Sequence, residues 1–187
     1  MVRFLVGQPR VVWWYRWQNR PDYLEGYVDT DFAGCHRTRR STSGGIALHG
    51  QHPIKHWSST QTTVALSSGE AELGGICKGS SICIGLQSIA RDLGFQWQLK
   101  MFTDATAAIG ISHRKGLGKI RHLAVADLWI QDKVRAGEFR LEKVLGSENP
   151  ADMCTKYIGR YDMNKHLRRI SCEWESGRAD SAPVVEG

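Results

Sequence analysis

Residues 67–73, with the sequence SSGEAEL, mark the start of the longest helix that the chain predicts. Ser67 and Glu70 have the spacing of a capping box, in which a hydroxyl and a carboxylate each bind a free backbone N–H at the helix start. Gly94 is a natural end to this helix, because glycine readily adopts the left-handed conformation that follows many helices. Between these signals, apolar side chains recur at helical spacing at Ile76, Cys83, Leu86, Ala90 and Leu93.

Two glutamates in this stretch fall on different sides of the helix. Positions two residues apart differ by roughly 200° around a helix axis, so Glu70 and Glu72 do not share a face. Glu72 lies one turn before Ile76 on the apolar stripe, where a carboxylate is costly unless it is paired or binds a metal ion. The alternative is an edge residue whose carboxylate reaches solvent. The pattern favours Glu72 as a site residue and leaves Glu70 in the cap.

The segments around this helix predict an α/β fold. Strand-forming runs precede it at residues 10–18, 23–29, 45–49 and 54–58, and the last two flank a hairpin turn. After it come a strand at 98–103, helices at 105–111 and 120–134, a strand at 138–144 and a helix start at Asn149-Pro150. This order is typical of a mixed sheet with helices packed on it. The polar residues after about position 166 predict an irregular tail.

Three further acidic residues lie near the ends of predicted elements. Asp29 ends a strand, and Asp31 would share its face, so alternation does not separate the two. Asp104 lies at the carboxyl end of a strand, where open sheets bind ligands, and Asp152 lies in the first turn of a helix. Each has an ordinary explanation as a turn residue, a helix cap or a partner of the helix dipole. Their joint occurrence with Glu72 predicts a cation site.

Composition narrows the classes of function. The chain has 187 residues, a formal net charge of +6 and a pI of about 9.2, which favours a polyanionic partner. A positive surface around clustered carboxylates is what a metal-dependent nuclease needs, because the surface holds phosphates and the carboxylates hold magnesium. Five cysteines without close paired spacing argue against a disulfide framework. Without a long apolar run or a secretory signal, the sequence predicts an intracellular protein with no membrane span.

Four motifs follow one another in order between about Tyr23 and Tyr157. They are YVDTDFAG at 27–34, RSTSGG at 40–45, WSSTQTTVALSSGEAE at 57–72 and ADMCTK at 151–156. Together they resemble the ribonuclease H region of copia-type LTR retrotransposon Pol polyproteins. The resemblance implies a ribonuclease H-like domain at 23–160. Residues 1–22 would be the end of the reverse-transcriptase connection region, with an extra strand, and residues 161–187 a flexible tail.

The resemblance also implies a site and a reaction. The family has a five-stranded mixed sheet flanked by helices, and its four metal-binding acids match Asp29, Glu72, Asp104 and Asp152. This match selects Asp29 over Asp31. The implied reaction is hydrolysis of the RNA strand of an RNA–DNA hybrid with two Mg²⁺ ions about 4 Å apart, for which Mn²⁺ can substitute. Asp29 would bridge both ions, Glu72 and Asp104 would hold one, and Asp152 the other.

The implied partners are the RNA–DNA hybrid and the reverse-transcriptase domain of the same polyprotein, in a cytoplasmic particle or the nucleus. Hybrid recognition would depend on backbone geometry and ribose 2′-hydroxyls, with little sequence preference. Candidate phosphate contacts come from the basic loop at 113–122 and from a second loop that follows the first motif. They are Arg114, Lys115, Lys119, Arg121, Arg39 and Arg40. The alternative for both segments is a solvated loop.

Two further clusters have competing interpretations. His49, His52 and His56 around the hairpin suggest zinc, but the lack of a nearby cysteine favours an ordinary hairpin. The aromatic run at 13–17 suggests base stacking, although packing against the polymerase part is the simpler interpretation.

The sequence departs from the family pattern at three places. Phe32 stands where tryptophan is usual, Ala105 stands where asparagine is usual, and the loop at 146–149 lacks a histidine that many ribonucleases H carry. The alternative function is therefore a catalytically inactive nucleic-acid-binding or structural remnant of a retroelement. A recombinase with an integrase-like fold is a third hypothesis. It is disfavoured because such proteins use three main acids and lack the serine- and glycine-containing blocks seen here.

Overall fold

The computed structural model describes the backbone of residues 10–116, 125–177 and 179, and the side chains of these residues except 125–128. The elements in chain order are β1 Arg10–Trp13, β2 Tyr23–Asp31, β3 Thr42–His49, β4 His52–Thr60, α1 Ser68–Asp92, β5 Gln98–Thr103, α2 Thr106–His113, α3 Val125–Arg135, β6 Arg140–Lys143, α4 Arg160–Arg169 and β7 Cys172–Glu175. Two short 3₁₀ helices, Gly146–Glu148 and Pro150–Cys154, lie between β6 and α4.

The main sheet has five strands in the order β4-β3-β2-β5-β6. Strand β3 pairs antiparallel with β2 and β4, whereas β5 pairs parallel with β2 and β6. The mixed α/β architecture expected from the sequence is confirmed. Because β2 and β5 are parallel neighbours, their carboxyl ends lie at the same end of the sheet. This topology brings Asp29, near the end of β2, towards Asp104, directly after β5.

Helix α1 begins and ends at the predicted signals. Ser67 is the N-cap, and its hydroxyl accepts a hydrogen bond from the backbone N–H of Glu70 at 3.2 Å. The Glu70 carboxylate accepts from the N–H of Leu66 at 2.7 Å, so this glutamate is committed to the cap. The helix ends before Gly94, which has a φ of 86°. Leu93 was expected on the apolar stripe but is 69% exposed, because it lies at the C-cap, beyond the last turn.

Two glycines let α1 lie close to β2. A Cβ added at Gly75 would be 2.3 Å from Oγ1 of Thr30, and one added at Gly79 would be 2.3 Å from Cγ1 of Val28. Both contacted residues flank Asp29 in the strand. The close approach therefore brings the first turns of α1, with Glu72, to the part of β2 that carries Asp29. The core on this face also contains Leu24, Leu73, Ile76, Cys83, Met101, Ile111, Ile130 and Leu141.

The other face of the sheet is covered by the C-terminal segment. Side chains from β2 and β3 pack there with α4 and β7 in a cluster of Tyr27, Ile46, Leu48, Ala151, Leu167, Ile170 and Cys172. Strand β7 pairs antiparallel with β1 in a separate two-stranded sheet. The prediction of an irregular tail after about residue 166 is wrong for residues up to 175. This segment is mostly polar, but its few apolar side chains pack against the sheet and hold the segment in place. The predicted domain bounds themselves stay a prediction.

Several smaller differences have local causes. The strand expected at 10–18 stops at Trp13, because its partner β7 begins at Cys172, directly opposite. The helix expected at Asn149-Pro150 is a short 3₁₀ helix. All five cysteines are free thiols, as expected. Among the helices of the described residues, none combines the length and apolar character needed to cross a lipid bilayer.

The substitution Ile170→Ala tests whether the C-terminal segment belongs to the folded core. Ile170 is 2% exposed, so its truncation should lower the free energy of unfolding by about 2–5 kcal/mol. Urea denaturation followed by circular dichroism measures the change. Tyr161→Ala, in the helix that Ile170 follows but 82% exposed, is the control and should change stability by less than about 0.5 kcal/mol. Equal stability of the two variants would place Ile170 outside the cooperative core.

Candidate active site

Asp29 is enclosed by β2 and by the segment that follows the second 3₁₀ helix. Its side chain is only 3% exposed. The position opposite in β3 is Gly44, where a Cβ would lie 2.6 Å from both Cys154 and Thr155. A side chain there would push this segment away, so the glycine permits its approach. Thr155 reaches Asp29 through this space and donates its hydroxyl hydrogen to Oδ2.

Asp31 takes no part in this contact. A Cβ added to Gly34 would lie 1.7 Å from Oδ2 of Asp31, so this carboxylate lies against the turn that ends β2. The structure thereby separates two aspartates that strand alternation places on the same face.

Glu72 projects from the first turns of α1 into the same region. Its Oε2 is buried and makes no hydrogen bond. Burial, reinforced by the carboxylates of Asp29 and Asp104, raises the pKa of Glu72 to about 8. A nearby cation would favour the ionised form, so this carboxylate is suited to binding one.

Asp104 follows β5 and is half-buried. It is not a helix cap, because the N-cap of α2 is Ala105 and has no side-chain capping bond. A Cβ on Gly146 would lie 3.0 Å from Oδ2 of Asp104. The loop that lacks the expected histidine therefore presents a glycine, with no side chain, next to this carboxylate.

Asn149 places Asp152 next to β2. Its side-chain Oδ1 accepts from the N–H of Ala151 at 3.2 Å, which caps the 3₁₀ helix that carries Asp152. Its Nδ2 donates to the carbonyl of Val28 at 2.9 Å, and the whole residue is 0% exposed. Because Val28 directly precedes Asp29, this bond sets the distance between two of the acidic residues. Burial and the charge of Asp29 raise the pKa of Asp152.

Lys156 lies between two of the carboxylates. Its Nζ is 3.1 Å from Oδ1 of Asp152 and 3.6 Å from Oδ2 of Asp29. Burial acts to lower the pKa of Lys156, but the neighbouring carboxylates outweigh burial and the net shift is upward. The ammonium therefore offsets part of the negative charge of the cluster.

All four acids predicted from the sequence come together at one end of the sheet. The charges of Asp29 and Asp104 each raise the pKa of both Glu72 and Asp152. Their oxygen atoms are the hard donors that magnesium prefers, and the unpartnered Oε2 of Glu72 is available as a ligand. In the described part of the chain, however, no group of three or more histidine, cysteine or acidic side chains is arranged to hold a metal ion. The donor chemistry thus fits magnesium, while Lys156 supplies the positive charge in this arrangement.

The sequence of this chain is similar to the sequences of known proteins. Over 148 residues, 77% of the chain, the sequence is 32% identical to the retrovirus-related Pol polyprotein from transposon TNT 1-94 of Nicotiana tabacum. Over 173 residues, 91% of the chain, it is 28% identical to the corresponding polyprotein from transposon RE1 of Arabidopsis thaliana. The chain is a homologue of transposon Pol polyproteins. It covers only 11% and 12% of the length of these two relatives. No protein-family model matches the chain.

A solved structure identifies the fold of this Pol homologue. The ribonuclease H1 called LC11, isolated from compost, superposes with a TM-score of 0.53 and covers 78% of this chain and 99% of its own. The sequence identity is 11%, so the likeness shows the fold alone. The ribonuclease H fold implied by the sequence motifs is confirmed.

The candidate phosphate contacts of the Pol homologue lie in two loops. Arg39 and Arg40 are exposed in the loop between β2 and β3, which leaves the sheet at the end where Asp29 lies. In the other loop, Lys115 is exposed and Arg114 is half-buried. Lys119 and Arg121 lie outside the described residues.

Gln131 fixes the start of the basic loop that follows α2. This residue of α3 is 4% exposed. Its amide nitrogen Nε2 donates to the carbonyls of Ile111 at 2.9 Å and Gly116 at 3.1 Å, and its Oε1 accepts from the N–H of Gly116 at 2.9 Å. The loop therefore leaves α2 from a defined position.

The hairpin histidines are engaged in contacts other than metal binding. A ring nitrogen of His49 lies 2.9 Å from the carbonyl of Tyr23, and one of His52 lies 2.8 Å from the carbonyl of Arg16. His56 stacks on Trp13 with ring centroids 5.6 Å apart. These contacts support the ordinary hairpin over a zinc site.

Sequence reasoning missed three residues that shape the site. Lys156 follows Asp152 at a spacing of four, which is typical of an ion pair on a helix and was an available signal. Asn149 was expected as a cap, but its bond to Val28 joins positions 121 residues apart. The bond from Thr155 to Asp29 spans 126 residues and has no local signature.

The substitution Asn149→Ala tests the link between the 3₁₀ helix and β2. It removes two buried hydrogen bonds and leaves the Val28 carbonyl without its partner, so the free energy of unfolding should fall by about 2–4 kcal/mol. Urea denaturation measures the change. Asn164→Ala, at a half-buried position of α4, is the control and should cost less than about 1 kcal/mol. Equal stability losses would show that the Val28 bond contributes nothing specific.

The raised pKa of Glu72 predicts an unusual dependence of stability on pH. Between the ordinary value of 4.5 and about 8, the folded chain keeps a proton that the unfolded chain has released. In EDTA, stability should therefore fall as pH rises across this range and level off above it. Thermal denaturation in a pH series should show a flatter profile for Glu72→Gln, which cannot ionise. The exposed control Glu142→Gln should keep the parent slope, and parallel profiles for the parent and Glu72→Gln would contradict the prediction.

Proposed function

We propose that this chain is a magnesium-dependent ribonuclease H that cleaves the RNA strand of RNA–DNA hybrids. The observation that carries the proposal is the convergence of four carboxylates, from four separate segments, at one end of a ribonuclease H fold. A turn residue, a helix cap or a dipole partner explains each acid alone. None of these explains why like charges gather in a region withdrawn from water, where their repulsion is poorly screened.

Two magnesium ions, or manganese in their place, would be held by Asp29, Glu72, Asp104 and Asp152, and would supply the Lewis acid and activated water of two-metal hydrolysis. The contribution of the chain itself is to position oxygen donors. Asn149 holds Asp152 against β2, and Gly44 leaves room for the segment beside Asp29. The buried Oε2 of Glu72 makes no hydrogen bond. The gathering of these oxygen donors supports a cation-binding role.

The charge distribution supports a polyanionic substrate. A net charge of +6 coexists with an acidic site, so the excess positive charge lies elsewhere on the surface. Arg39 and Arg40 would bind hybrid phosphates on one side, and Arg114 and Lys115 would extend this contact, together with Lys119 and Arg121 a few positions later in the sequence. Such contacts read the backbone and the 2′-hydroxyls, so little sequence preference is expected.

The relatives support a proposal about the cellular setting of the chain. Both plant proteins are Pol polyproteins, and the chain matches about a tenth of their length. We therefore also propose that it acts beside the reverse-transcriptase domain of the same polyprotein, inside the cell, in a cytoplasmic particle or the nucleus.

A cleavage assay with Asp104→Asn tests the proposal. The parent should cut a labelled RNA–DNA hybrid in Mg²⁺ and not in EDTA. Asp104→Asn should lower the rate by at least about 100-fold, because a charged ligand of the site is lost. Hybrid binding, measured by fluorescence anisotropy, should stay within about twofold, since phosphate contacts carry most of the affinity. Asp132→Asn, whose side chain is 74% exposed, is the matched control and should cut as the parent does.

Three outcomes would each contradict part of the proposal. Cleavage by Asp104→Asn at the parent rate would remove this residue from the site. A parent that binds the hybrid but cuts it at no magnesium concentration would favour the alternative, an inactive nucleic-acid-binding remnant. Duplex DNA and duplex RNA serve as competing substrates, and equal cleavage of all three would contradict the hybrid preference.

A further inference from the structure

Lys156 places a positive charge inside the cluster that the proposed function assigns to divalent cations. Its Nζ lies 3.1 Å from Asp152 and 3.6 Å from Asp29. The side chain of Lys156 is 43% exposed, whereas those of Asp29 and Asp152 are 3% and 15% exposed. Charges withdrawn from water in this way are screened less by solvent and salt than surface ion pairs. The lysine therefore has a larger electrostatic role than a solvated surface residue.

The local backbone keeps this ammonium beside the cluster. The N–H groups of Thr155 and Lys156 both donate to the carbonyl of Asp152 at 3.2 Å, which closes a turn between the two charged residues. Thr155 in turn holds Oδ2 of Asp29, the same oxygen that the ammonium faces. The turn thus brings a carboxylate, a hydroxyl donor and an ammonium to one side of Asp29.

We propose that Lys156 is a resident cation that neutralises Asp29 and Asp152 in the metal-free chain and that a divalent ion bound by these two carboxylates displaces it. The inference rests on the proposed function, which makes both acids metal ligands. A divalent ion and an ammonium a few ångströms apart repel each other strongly where water is scarce. The flexible four-carbon stem of lysine and the partly exposed position of this side chain let the ammonium move to solvent.

Two opposite consequences follow from this competition. Without Lys156, the metal-free chain would hold Asp29 and Asp152 close together with no compensating charge, and it would be less stable. The same change would remove the competitor of the divalent ion, so the ion would bind more tightly. A lysine that merely packs its stem against the site would produce the first effect without the second.

Thermal denaturation in EDTA and in saturating MgCl₂ tests the first consequence. Lys156→Met should lower the melting temperature in EDTA by at least about 3 °C, and magnesium should restore it to the parent value. Lys156→Arg keeps the charge and should remain close to the parent in both buffers. Lys133→Met is the matched control. It breaks the ion pair between Lys133 and Glu138, whose charged atoms are 2.7 Å apart and which lies away from the site. Its loss of stability should be the same with and without magnesium.

Isothermal titration calorimetry with Mg²⁺ tests the second consequence. Lys156→Met should bind the ion more tightly, on the order of tenfold, since one repelling charge is removed. Unchanged or weaker binding would overturn the proposal. If Lys156→Met does not fold in EDTA, Lys156→Met/Asp152→Asn removes a charge from each side of the pair and should recover stability. A double variant as unstable as the single one would also overturn it, because loss of the packed stem would then explain the result.

The same samples separate this inference from the proposed function. A parent that does not cut the hybrid, together with the expected melting and calorimetric shifts, would refute the nuclease while leaving the competition intact. Hybrid cleavage by the parent, together with equal magnesium affinity in the parent and Lys156→Met, would refute the competition alone.

Discussion

Like charges held together with little access to water are the constraint on which this structure depends. Burial, reinforced by the charges of Asp29 and Asp104, raises the pKa of Asp152 and raises that of Glu72 to about 8. Carboxylates this close together stay ionised only where a nearby positive charge stabilises them. The ammonium of Lys156 lies beside two of these carboxylates, and the buried Oε2 of Glu72 makes no hydrogen bond. Both features are understandable if the cluster exists to bind cations.

The scaffold around the cluster consists largely of close backbone approaches. Gly75 and Gly79 let α1 lie against β2, and Gly44 admits the segment with Thr155. Asn149 then ties the 3₁₀ helix to the carbonyl that precedes Asp29. Small residues and one buried amide therefore do the positioning, while the large apolar side chains fill the two faces of the sheet.

Acidic and basic side chains occupy different parts of the molecule. A chain with net charge +6 concentrates its buried carboxylates at one end of the sheet and exposes arginines in the loop next to them. The chain matches about a tenth of the length of two plant transposon Pol polyproteins. Strands β1 and β7 form a separate two-stranded sheet on the side covered by α4.

Local patterns in the sequence were enough to predict most elements of the fold. The boundaries of α1 follow from Ser67, Glu70 and Gly94, because capping and left-handed glycine depend only on neighbours in the chain. Strand β5 appears at the residues predicted, 98–103. The C-terminal segment was misjudged because its few apolar residues are too sparse to form a pattern. They become informative only when β1 and the sheet are present to cover them.

The candidate site, too, was predicted in part from the sequence and in part revealed only by the structure. The motifs of the chain single out four acids, and helical periodicity alone separates Glu72 from Glu70. Strand alternation could not separate Asp29 from Asp31, since it places both on one face. In the structure the carboxylate of Asp31 lies against the turn at Gly34. Only the tertiary structure revealed Lys156 between two carboxylates and the bonds from Thr155 to Asp29 and from Asn149 to Val28. The reason is physical: charge pairing and hydrogen bonding depend on distance in space, and the two bonds join residues more than a hundred positions apart in the chain.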